Sequence, residues 1–326
     1  MRFTKSKVLV AGGAGFIGSH LVERLLAEGA DVRASLHEKS AVIKDKRVEY
    51  VRSDLTKAED CKRLVRGVDY VFMCAASTSG AAAIEGTPLV HVTPNVVMNC
   101  RILEASHEEG VKKFVWMSSS VGYPPSGDRP VKEEEFFRGD PYDVYFASGW
   151  MKRYTEILCK MYSEKLDPPM PTVVLRPSNI YGPSDKFEPH RSHVTAALVR
   201  RVAERQDPLV VWGDGKDVRD VIYVDDFVDA VILAAEKIDS YDPLNIGAGK
   251  AFTVDDILQT LLEIEGFKPR VVHDRTKPSM IPIRLVDTTR ANKLLGFQPK
   301  TTLRGGLKKT IDWYKLKGSR PGRKKP

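Results

Sequence analysis

Short apolar runs rich in β-branched residues recur along the first half of the chain. They read KVLVAGG, VEYVRSD, VDYVFMCAA, KKFVWMSSS and TVVLRPS. Between them, stretches such as HLVERLLAEG and NVVMNCRILEASHEEG place apolar residues at helical spacing and end in glycine, a common helix C-cap. This alternation predicts an α/β fold in which helices cover both faces of a doubly wound parallel sheet.

The pattern changes after about residue 183, where the elements become shorter and Pro and Gly become more frequent. HVTAALVRRVAER predicts a helix and PLVVWGDG a short strand. In FTVDDILQTLLEIEG, Thr253 is the expected N-cap, and Asp256 stands close to the capping-box position. We expect a first domain in residues 1–183, with some carboxy-terminal segments packing back on it, a smaller mixed α/β substrate-binding lobe in residues 184–314, and a basic, disordered tail in residues 315–326.

Composition is that of an ordinary globular protein, with 42% hydrophobic and 29% charged residues. No apolar run approaches the roughly 20 residues of a membrane span, and the amino terminus enters a strand without a signal peptide. We therefore expect a cytoplasmic protein that does not contact a membrane. Isolated cysteines without a CxxC pair favour buried free thiols over disulfides or a metal site: Cys61, Cys74, Cys100 and Cys159.

The net charge of +8 is concentrated at the end of the chain, where six basic residues lie in KLKGSRPGRKKP. The rest of the chain is close to neutral. We predict a solvated tail and no nucleic-acid binding. Contact of the tail with nucleic acid or an acidic surface is the alternative, and it would depend strongly on salt.

A glycine-rich loop joins the first predicted strand to the first predicted helix in VLVAGGAGFIGSHLVERLL. Gly12, Gly15 and Gly18 permit a tight turn, close approach of the backbone to a pyrophosphate, and close packing of helix on strand. The helix amino terminus, near Phe16 and Ile17, attracts phosphate charge. In this context the motif predicts a Rossmann dinucleotide site, with a purely structural turn as the alternative.

The second predicted strand ends without the acid that binds the adenosine ribose hydroxyls in an NAD site. Leu36 stands at that position, and His37, Lys39 and Arg33 lie nearby in the sequence. Because these cations suit a 2′-phosphate, we expect NADP, with NAD as the alternative. Solvated surface charges would explain the same residues. Further cofactor contacts are expected where the third and fourth strands end, at Asp54, Leu55, Ala75 and Ala76.

Several motifs in chain order resemble the extended short-chain dehydrogenase/reductase family, the NAD(P)-dependent nucleotide-sugar epimerases and dehydratases: GGAGFIGSHL, VFMCAA, KKFVWMSSS, RPSNIYGP and VVWGDGKDVRDVIYVDDFVDA. The resemblance covers about residues 6–314 and is greatest to the GDP-fucose synthase group, to which NIYGPSDKFEPHRSHVTAALVRR and HDRTKPSMIPIRLVDTTRANKLLGF are similar. It implies a nucleoside-diphosphate sugar as the substrate, with a GDP-sugar favoured.

The resemblance also places substrate contacts on residues of this chain. Arg201, Arg219 and Arg284 fall on phosphate-binding positions of the family, and guanidinium groups suit bidentate phosphate recognition. Asn179 matches a substrate-contacting asparagine, and Trp212 matches a residue that lines the nucleotide pocket. A surface ion pair is the alternative for any single arginine.

The family uses a Ser or Thr, a Tyr and a Lys, of which the tyrosine exchanges a proton with the sugar oxygen while a hydride moves to or from the nicotinamide. Lys152 aligns with the family lysine, because KRYTEILCKMY keeps the Glu156 and Cys159 spacings. Ser148 then stands where the tyrosine is expected, four residues earlier on the same helix face. A serine hydroxyl is too short and too weakly acidic to replace a phenol directly.

The serine that orients the sugar oxygen is Ser119 or Ser120, with Ser119 favoured. The fucose synthase pattern implies a cysteine base two residues after Ser119, and Val121 stands there. The acid partner of that base is retained as His193. Loss of the base with retention of the acid argues against double epimerisation at carbons 3 and 5.

Three outcomes for activity follow. The favoured one is an oxidoreductase or epimerase acting at sugar carbon 4, in which Tyr145, or a water held by Ser148 and Lys152, relays the proton and His193 assists. The second is a non-catalytic module that binds NAD(P) or a nucleotide sugar. In the third, Ser148 inactivates an otherwise normal enzyme. Loss of one acid/base group costs about 10²–10⁴ in rate, so Ser148 does not exclude activity.

The family often forms dimers through a four-helix bundle. Here NVVMNCRILEASHEEG and GWMKRYTEILCKMY would supply the helices of that bundle. We therefore expect a homodimer.

Overall fold

The structure, a computed structural model, describes residues 3–77, 89–189, 191–277 and 281–318. Seven parallel strands form the largest sheet: β1 (Lys7–Ala11), β2 (Asp31–Leu36), β3 (Val48–Arg52), β4 (Tyr70–Met73), β5 (Lys113–Met117), β6 (Thr172–Pro177) and β10 (Leu244–Ile246). Their order is β3-β2-β1-β4-β5-β6-β10. The apolar runs in the sequence thus form the strands of a doubly wound sheet, as predicted.

Helices cover both faces of this sheet. The α-helices of the described residues are α1 (Phe16–Ala27), α2 (Ala58–Val65), α3 (Leu89–Glu108), α4 (Phe146–Glu164), α5 (Val194–Ala203), α6 (Val224–Lys237), α7 (Val254–Glu265), α8 (Thr289–Leu295) and α9 (Leu303–Gly318). Val8 and Val10 of β1 belong to a core shared with α1 and α6, whereas Leu9 belongs to a core shared with α2, α3 and α4. Burial on both faces explains why β1 is continuously apolar.

The remaining strands form two smaller sheets: β7 (Asn179–Tyr181), β8 (Leu209–Trp212), β9 (Val218–Tyr223), β11 (Ala251–Thr253), β12 (Val271–Asp274) and β13 (Ile283–Arg284). β9 pairs in parallel with β7 and β13 and antiparallel with β11, and β8 pairs with β12. The β9–β13 register places Arg219 opposite Arg284. A third core, which includes Val199, Leu261 and Ile311, joins these sheets to α5, α7 and α9.

The strand order reverses between β1 and β4. The chain runs outward from β1 to β2 and β3, and then returns to place β4 on the other side of β1. The helix α1 therefore lies on the opposite face from α2, α3 and α4, and a crevice opens at the carboxyl ends of β1 and β4. Ligands of open α/β sheets bind in such a crevice.

Local signals in the sequence have mixed outcomes. The capping box at α7 is confirmed, since Thr253 Oγ1 accepts from the Asp256 amide at 3.0 Å and the Asp256 carboxylate accepts from the Thr253 amide at 2.8 Å. α9 continues through Gly318, four residues into the segment predicted as a tail, and residues 319–326 lie outside the described part.

Two further expectations concern thiols and membranes. The four cysteines are free; Cys61 and Cys159 are buried as expected, whereas Cys74 and Cys100 are only half-buried. Within the described ranges, no helix has both the length and the apolar character that crossing a bilayer demands.

Candidate active site

The glycine-rich loop between β1 and α1 forms a turn with no room for side chains. Gly12 has φ +86°, and a Cβ added there would lie 2.7 Å from the backbone nitrogen of Ala75. A Cβ added at Gly18 would lie 2.2 Å from the Gly12 carbonyl oxygen. Gly15 is the N-cap of α1 and brings no side chain over the helix amino terminus. These features fit a pyrophosphate laid against the loop.

Ser35, near the end of β2, ties this loop to the sheet. Its hydroxyl accepts a hydrogen bond from the Gly12 amide at 2.8 Å, and its carbonyl accepts one from the Gly13 amide at 3.1 Å. Sequence reasoning missed this role, because Ser35 lies inside an ordinary strand pattern.

The cationic residues around β2 do not all lie at the cofactor edge. Leu36 is half-buried, and His37 and Lys39 are exposed beyond it. The Arg33 guanidinium donates instead to the Glu49 carboxylate at 2.9 Å and to two carbonyl groups at the end of α2. Arg33 points there because it lies within the strand and not beyond its end. The expectation that Arg33 neighbours a bound 2′-phosphate is therefore wrong.

Asp54 follows β3 at the same edge. Its carboxylate accepts from the Thr56 hydroxyl at 2.7 Å and the Thr56 amide at 3.0 Å, and these bonds lower the pKa of Asp54. Leu55 is buried, so that only Asp54 of this pair presents a polar group.

Beyond β4, the half-buried Ala75 and the exposed Ala76 lead into Ser77. The Asn95 side chain, from α3, brackets Ser77, accepting from its amide at 2.9 Å and donating to its carbonyl at 2.8 Å. Sequence reasoning missed Asn95, because only the tertiary fold shows what the amide contacts.

α4 places Lys152 against the carboxyl end of β5. Its Nζ donates to the Met117 carbonyl at 2.9 Å and lies 4.7 Å from the centre of the Trp116 ring. Burial lowers the pKa of Lys152 to about 8, although the Glu156 charge acts in the opposite direction. A lysine with a pKa this close to physiological pH can hold or release a proton there.

Two serines flank this lysine. Ser119 caps the 3₁₀-helix Ser120–Gly122, and its Oγ accepts from the Val121 amide at 3.3 Å. Ser148 is half-buried one turn before Lys152, and its hydroxyl donates to the Tyr145 carbonyl at 3.2 Å. The Ser148 hydroxyl therefore bonds within its own helical turn.

Arg284 reaches this edge from β13. Its guanidinium donates to the Ser120 carbonyl and lies 5.8 Å from the Tyr145 ring centre and 5.6 Å from that of Tyr142. Burial lowers the pKa of Arg284 to about 10. The rings of Tyr142 and Tyr145 therefore lie near the same guanidinium. Sequence reasoning missed Tyr142. Only the return of the chain through β13 brings these groups together.

A network of buried, hydrogen-bonded polar side chains lies behind this carboxyl edge of the main sheet. The Arg176 guanidinium and the Glu156 carboxylate form an ion pair at 2.6 Å, and the Ser118 hydroxyl donates to Glu156 at 2.5 Å. Arg176 also donates to the Tyr123 hydroxyl at 3.0 Å, which in turn donates to Asn245 at 2.6 Å. The spacing of Glu156 aligned Lys152 in the sequence, but the network itself had no sequence signal.

The other predicted substrate residues lie on the smaller sheets. Asn179 is half-buried on β7. The Arg201 guanidinium donates to the Val210 carbonyl, and that of Arg219 donates to the Pro282 carbonyl at 3.2 Å and to Asp217 at 3.0 Å. The charges of Arg219 and Arg284 are close enough to interact, so these two arginines form one cationic region.

His193 and Trp212 lie at element ends of the same part of the chain. His193 is the N-cap residue of α5, and the residue as a whole is exposed. Desolvation by neighbouring protein atoms lowers the pKa of its imidazole, and the Lys186 charge lowers it further. Trp212, at the end of β8, is 47% exposed and carries the Lys277 ammonium 5.7 Å from its ring centre. An exposed indole next to a cation suits stacking of a nucleotide base.

Known proteins resemble this chain over most of its length. The chain matches the NAD dependent epimerase/dehydratase family over residues 8–247. It is 30% identical to GDP-L-fucose synthase of Escherichia coli (strain K12), covering 95% of this chain and 97% of that protein. It is 31% identical to GDP-mannose 3,5-epimerase 1 of Oryza sativa subsp. japonica, covering 95% and 82%.

A solved structure agrees with these relatives. The UDP-glucose 4-epimerase of Thermus thermophilus, in complex with NAD, superposes with a TM-score of 0.80 at 28% identity and covers 96% of this chain and 100% of that chain. The fold and the glycine-rich loop define an NAD(P)-binding protein of the Rossmann class. The chain belongs to the NAD dependent epimerase/dehydratase family, a family of NAD(P)-dependent nucleotide-sugar epimerases and reductases.

Proposed function

We propose that the protein transfers hydride at carbon 4 of a nucleoside-diphosphate sugar, either as a 4-keto reductase or as a 4-epimerase. The observation that carries the proposal is the position of Lys152. It lies at the carboxyl end of β5, held by the Met117 carbonyl, with a pKa lowered to about 8. A GDP-sugar is favoured, because a GDP-L-fucose synthase and a GDP-mannose epimerase are among the similar proteins.

The cofactor would lie along the edge formed by the glycine-rich loop, Asp54 and Ala75. Its nicotinamide, when bound, supplies the acceptor or donor of hydride. NADP is the favoured form, supported by the absence of an acid at Leu36 and by the exposed side chains of His37 and Lys39 beyond it. Arg33 does not support the preference for NADP, because its guanidinium binds Glu49.

The residues of the chain hold the sugar oxygen and move its proton. Ser119 orients the carbon 4 oxygen, and Lys152 holds the ribose and supplies positive charge. We assign the proton relay to Tyr145, because Ser148 bonds to the helix backbone and Tyr145 lies beside the Arg284 guanidinium that contacts Ser120. A water held by Ser148 and Lys152 is the other route.

The substrate diphosphate is assigned to Arg201, Arg219 and Arg284, whose guanidinium groups suit paired phosphate oxygens. Asn179 contacts the substrate, His193 assists proton transfer, and Trp212 stacks on the base. In this arrangement Arg284 contacts both the substrate and the tyrosine pair, so that binding of the diphosphate is coupled to the position of Tyr145.

A second candidate is a non-catalytic module that binds NAD(P) or a nucleotide sugar. It is favoured by Ser148, whose hydroxyl is occupied by the Tyr145 carbonyl in the position where the family tyrosine is expected. A module of this kind keeps the glycine-rich loop and the arginines and lacks turnover.

The experiment adds GDP-, UDP-, CDP- and dTDP-sugars and their 4-keto forms, with NADPH or NADP⁺, to the chain and to Ser148→Tyr, Tyr145→Phe and Tyr142→Phe variants. Reduced-nicotinamide absorbance follows reduction, and chromatography of the sugar products follows epimerisation, because an epimerase returns its hydride and leaves the absorbance unchanged. The proposal expects turnover in the unaltered chain, a loss of about 10²–10⁴ in Tyr145→Phe, and near-normal turnover in the matched Tyr142→Phe control. Turnover that appears only in Ser148→Tyr would indicate an inactivated enzyme. Cofactor binding without turnover in any variant supports the binding module.

We also propose that the protein is a homodimer. Five large apolar side chains on one face of α4 are between 36% and 51% exposed: Phe146, Trp150, Tyr154, Ile157 and Met161. A row of this size on a helix is larger than a monomer usually leaves in water. Since α4 packs against α3, two copies would bring four helices together. The cytoplasmic location expected from the sequence stays a prediction.

A further inference from the structure

His20 joins three parts of the molecule. It lies on α1, the helix that starts at the glycine-rich loop, and its side chain is 12% exposed. Its Nδ1 lies 2.7 Å from the Asp225 carboxylate at the start of α6. Its Nε2 lies 2.9 Å from the Pro183 carbonyl oxygen, just after β7. One imidazole therefore connects the dinucleotide-binding helix to the chain that leads toward the smaller sheets.

The chemistry of these two contacts favours the charged form of the ring. A carboxylate oxygen and a carbonyl oxygen both accept hydrogen bonds, whereas a neutral imidazole has a single N–H to donate. Only the imidazolium form donates to Asp225 and Pro183 together. A neutral ring would keep one bond and turn a nitrogen lone pair toward the other oxygen.

The surrounding charges agree with this assignment. Burial alone would lower the pKa of His20, but the bonds to Asp225 and Pro183 outweigh it and raise the pKa, with a small addition from the Glu23 charge on α1. The same bond lowers the pKa of Asp225, which also interacts with Lys309 of α9 and the Tyr223 hydroxyl. Phe16 contributes only its ring, 6.0 Å from that of His20.

Pro183 is the first residue of a short segment, residues 183–187, that carries charged and aromatic side chains. Asp185 is half-buried, and its Oδ2 has no hydrogen-bond partner within the described residues. Desolvation raises the pKa of its carboxyl to about 7. The charge of Lys186 acts on His193 on one side and on Lys39, beyond β2, on the other. Phe187 is buried and stacks on Trp313 of α9 at 5.7 Å. The segment thus lies between the cofactor edge and His193.

We propose that His20 is a positioning residue: as an imidazolium it ties the 183–187 segment to α1 and α6, holds that segment beside the dinucleotide, and releases it on losing its proton. The tie itself is independent of the function proposed above. Its effect on a bound dinucleotide rests on that function.

The sign of the pH dependence follows from the raised pKa. The tie is complete below the ordinary histidine value of about 6.5 and is lost as pH rises through the higher value of the folded protein. Loosening of the segment is therefore expected above the ordinary histidine value, as pH rises through the raised pKa of His20.

The test follows hydrogen–deuterium exchange of peptides that cover residues 181–188 from pH 5.5 to 9, with each rate divided by the intrinsic rate at that pH. His20 is titrated in parallel by the NMR signals of its ring. The chain is compared with His20→Gln and with His107→Gln, a matched control in which the ring also lies 2.9 Å from a proline carbonyl oxygen, that of Pro168.

Loss of one hydrogen bond is expected to raise exchange about fivefold to tenfold as His20 deprotonates, equally in the chain and in His107→Gln. In His20→Gln the normalised rate should lose the step that follows the His20 titration, while any step from the Asp185 carboxyl stays the same in all three proteins. The absence of a step at the His20 titration in the unaltered chain, or the same step in His20→Gln, would overturn the proposal.

A second arm measures the release of NADPH and NADH over the same pH range. Faster release that coincides with His20 titration and disappears in His20→Gln supports a segment that holds the dinucleotide. Release without that dependence overturns this part. If no variant binds either cofactor, the function proposed above fails, while the exchange data still decide whether the tie exists.

Discussion

Lys152 shows how much of a site a single residue can define. Its spacing from Glu156 and Cys159 identified it in the sequence, and the structure adds what the sequence lacked, the Met117 carbonyl and the Trp116 ring that hold its ammonium. The contact of Arg284 with Tyr142 and Tyr145 had no sequence signal, because it joins residues about 140 positions apart through the tertiary fold.

The lowered pKa of Lys152 predicts a pH dependence of stability. Between about pH 8 and the ordinary lysine value of 10.5, the unfolded chain binds this proton more tightly than the folded chain does. The contribution of Lys152 to the free energy of unfolding therefore rises with pH across that window. Urea unfolding at pH 7.5, 8.5 and 9.5 should show this rise in the chain relative to Lys152→Met. Identical pH profiles for the two proteins would contradict the lowered pKa.

The buried pair of Glu156 and Arg176 predicts a large effect on stability. Arg176→Met leaves the Glu156 carboxylate buried without its partner, and such changes typically cost about 3–5 kcal/mol. The matched control is Lys160→Met, which removes an exposed partner of Glu164 at 4.0 Å and should cost at most about 0.5 kcal/mol. Chemical denaturation measures both. Equal losses would show that the network is not a distinct support of the site.

At the scale of elements, the glycine-rich turn predicts that a substitution in the turn weakens cofactor binding, whereas a substitution at a glycine elsewhere affects only stability. Gly18→Ala would bring a Cβ to 2.2 Å from the Gly12 carbonyl oxygen and should weaken NAD(P)H binding at least about tenfold, because the turn must open. Gly110→Ala is the control, since Gly110 lies outside the loop, has φ +67° and faces open space. It should cost about 1 kcal/mol of stability and leave binding unchanged. Fluorescence titration with NADPH decides between these results.

The apolar row on α4 predicts the oligomeric state. Ile157→Asp places a charge in the middle of the proposed interface and should convert a dimer into monomers. Leu316→Asp, at an equally apolar and more exposed site on α9, should leave the mass unchanged. Sedimentation velocity reads both masses. A monomeric unaltered chain would refute the homodimer.

The elements themselves were largely predictable, because β1, β4, β5 and β6 are apolar runs buried on both faces and therefore stand out against the amphipathic helices. β10 was not recognisable as a strand of the main sheet. It has three residues, and only its pairing with β6 gives it a place there. Arg33 was misplaced because it lies within β2 and not beyond its end, and because the sequence pattern does not show which partner a long side chain selects.

At the scale of the whole molecule, the strand order places the glycine-rich loop, Ser119 and Lys152 at the carboxyl edges of neighbouring strands. The smaller sheets bring Arg219 and Arg284 to the same side. His20 adds a contact between these two parts that depends on its proton. The proposed site therefore joins a cofactor edge, a sugar-oxygen site and a cationic region in one crevice.

The most direct measurement uses NADPH carrying deuterium at nicotinamide carbon 4, mixed with a GDP-4-keto-6-deoxy sugar and the purified chain, with Lys152→Met as the control. A 4-keto reductase, and a 4-epimerase loaded with reduced cofactor, must both deliver the label to the same atom. We predict deuterium at sugar carbon 4 in the product of the chain and little or none with Lys152→Met. Tight NADPH binding with no label transferred to any 4-keto nucleotide sugar would contradict hydride chemistry at carbon 4.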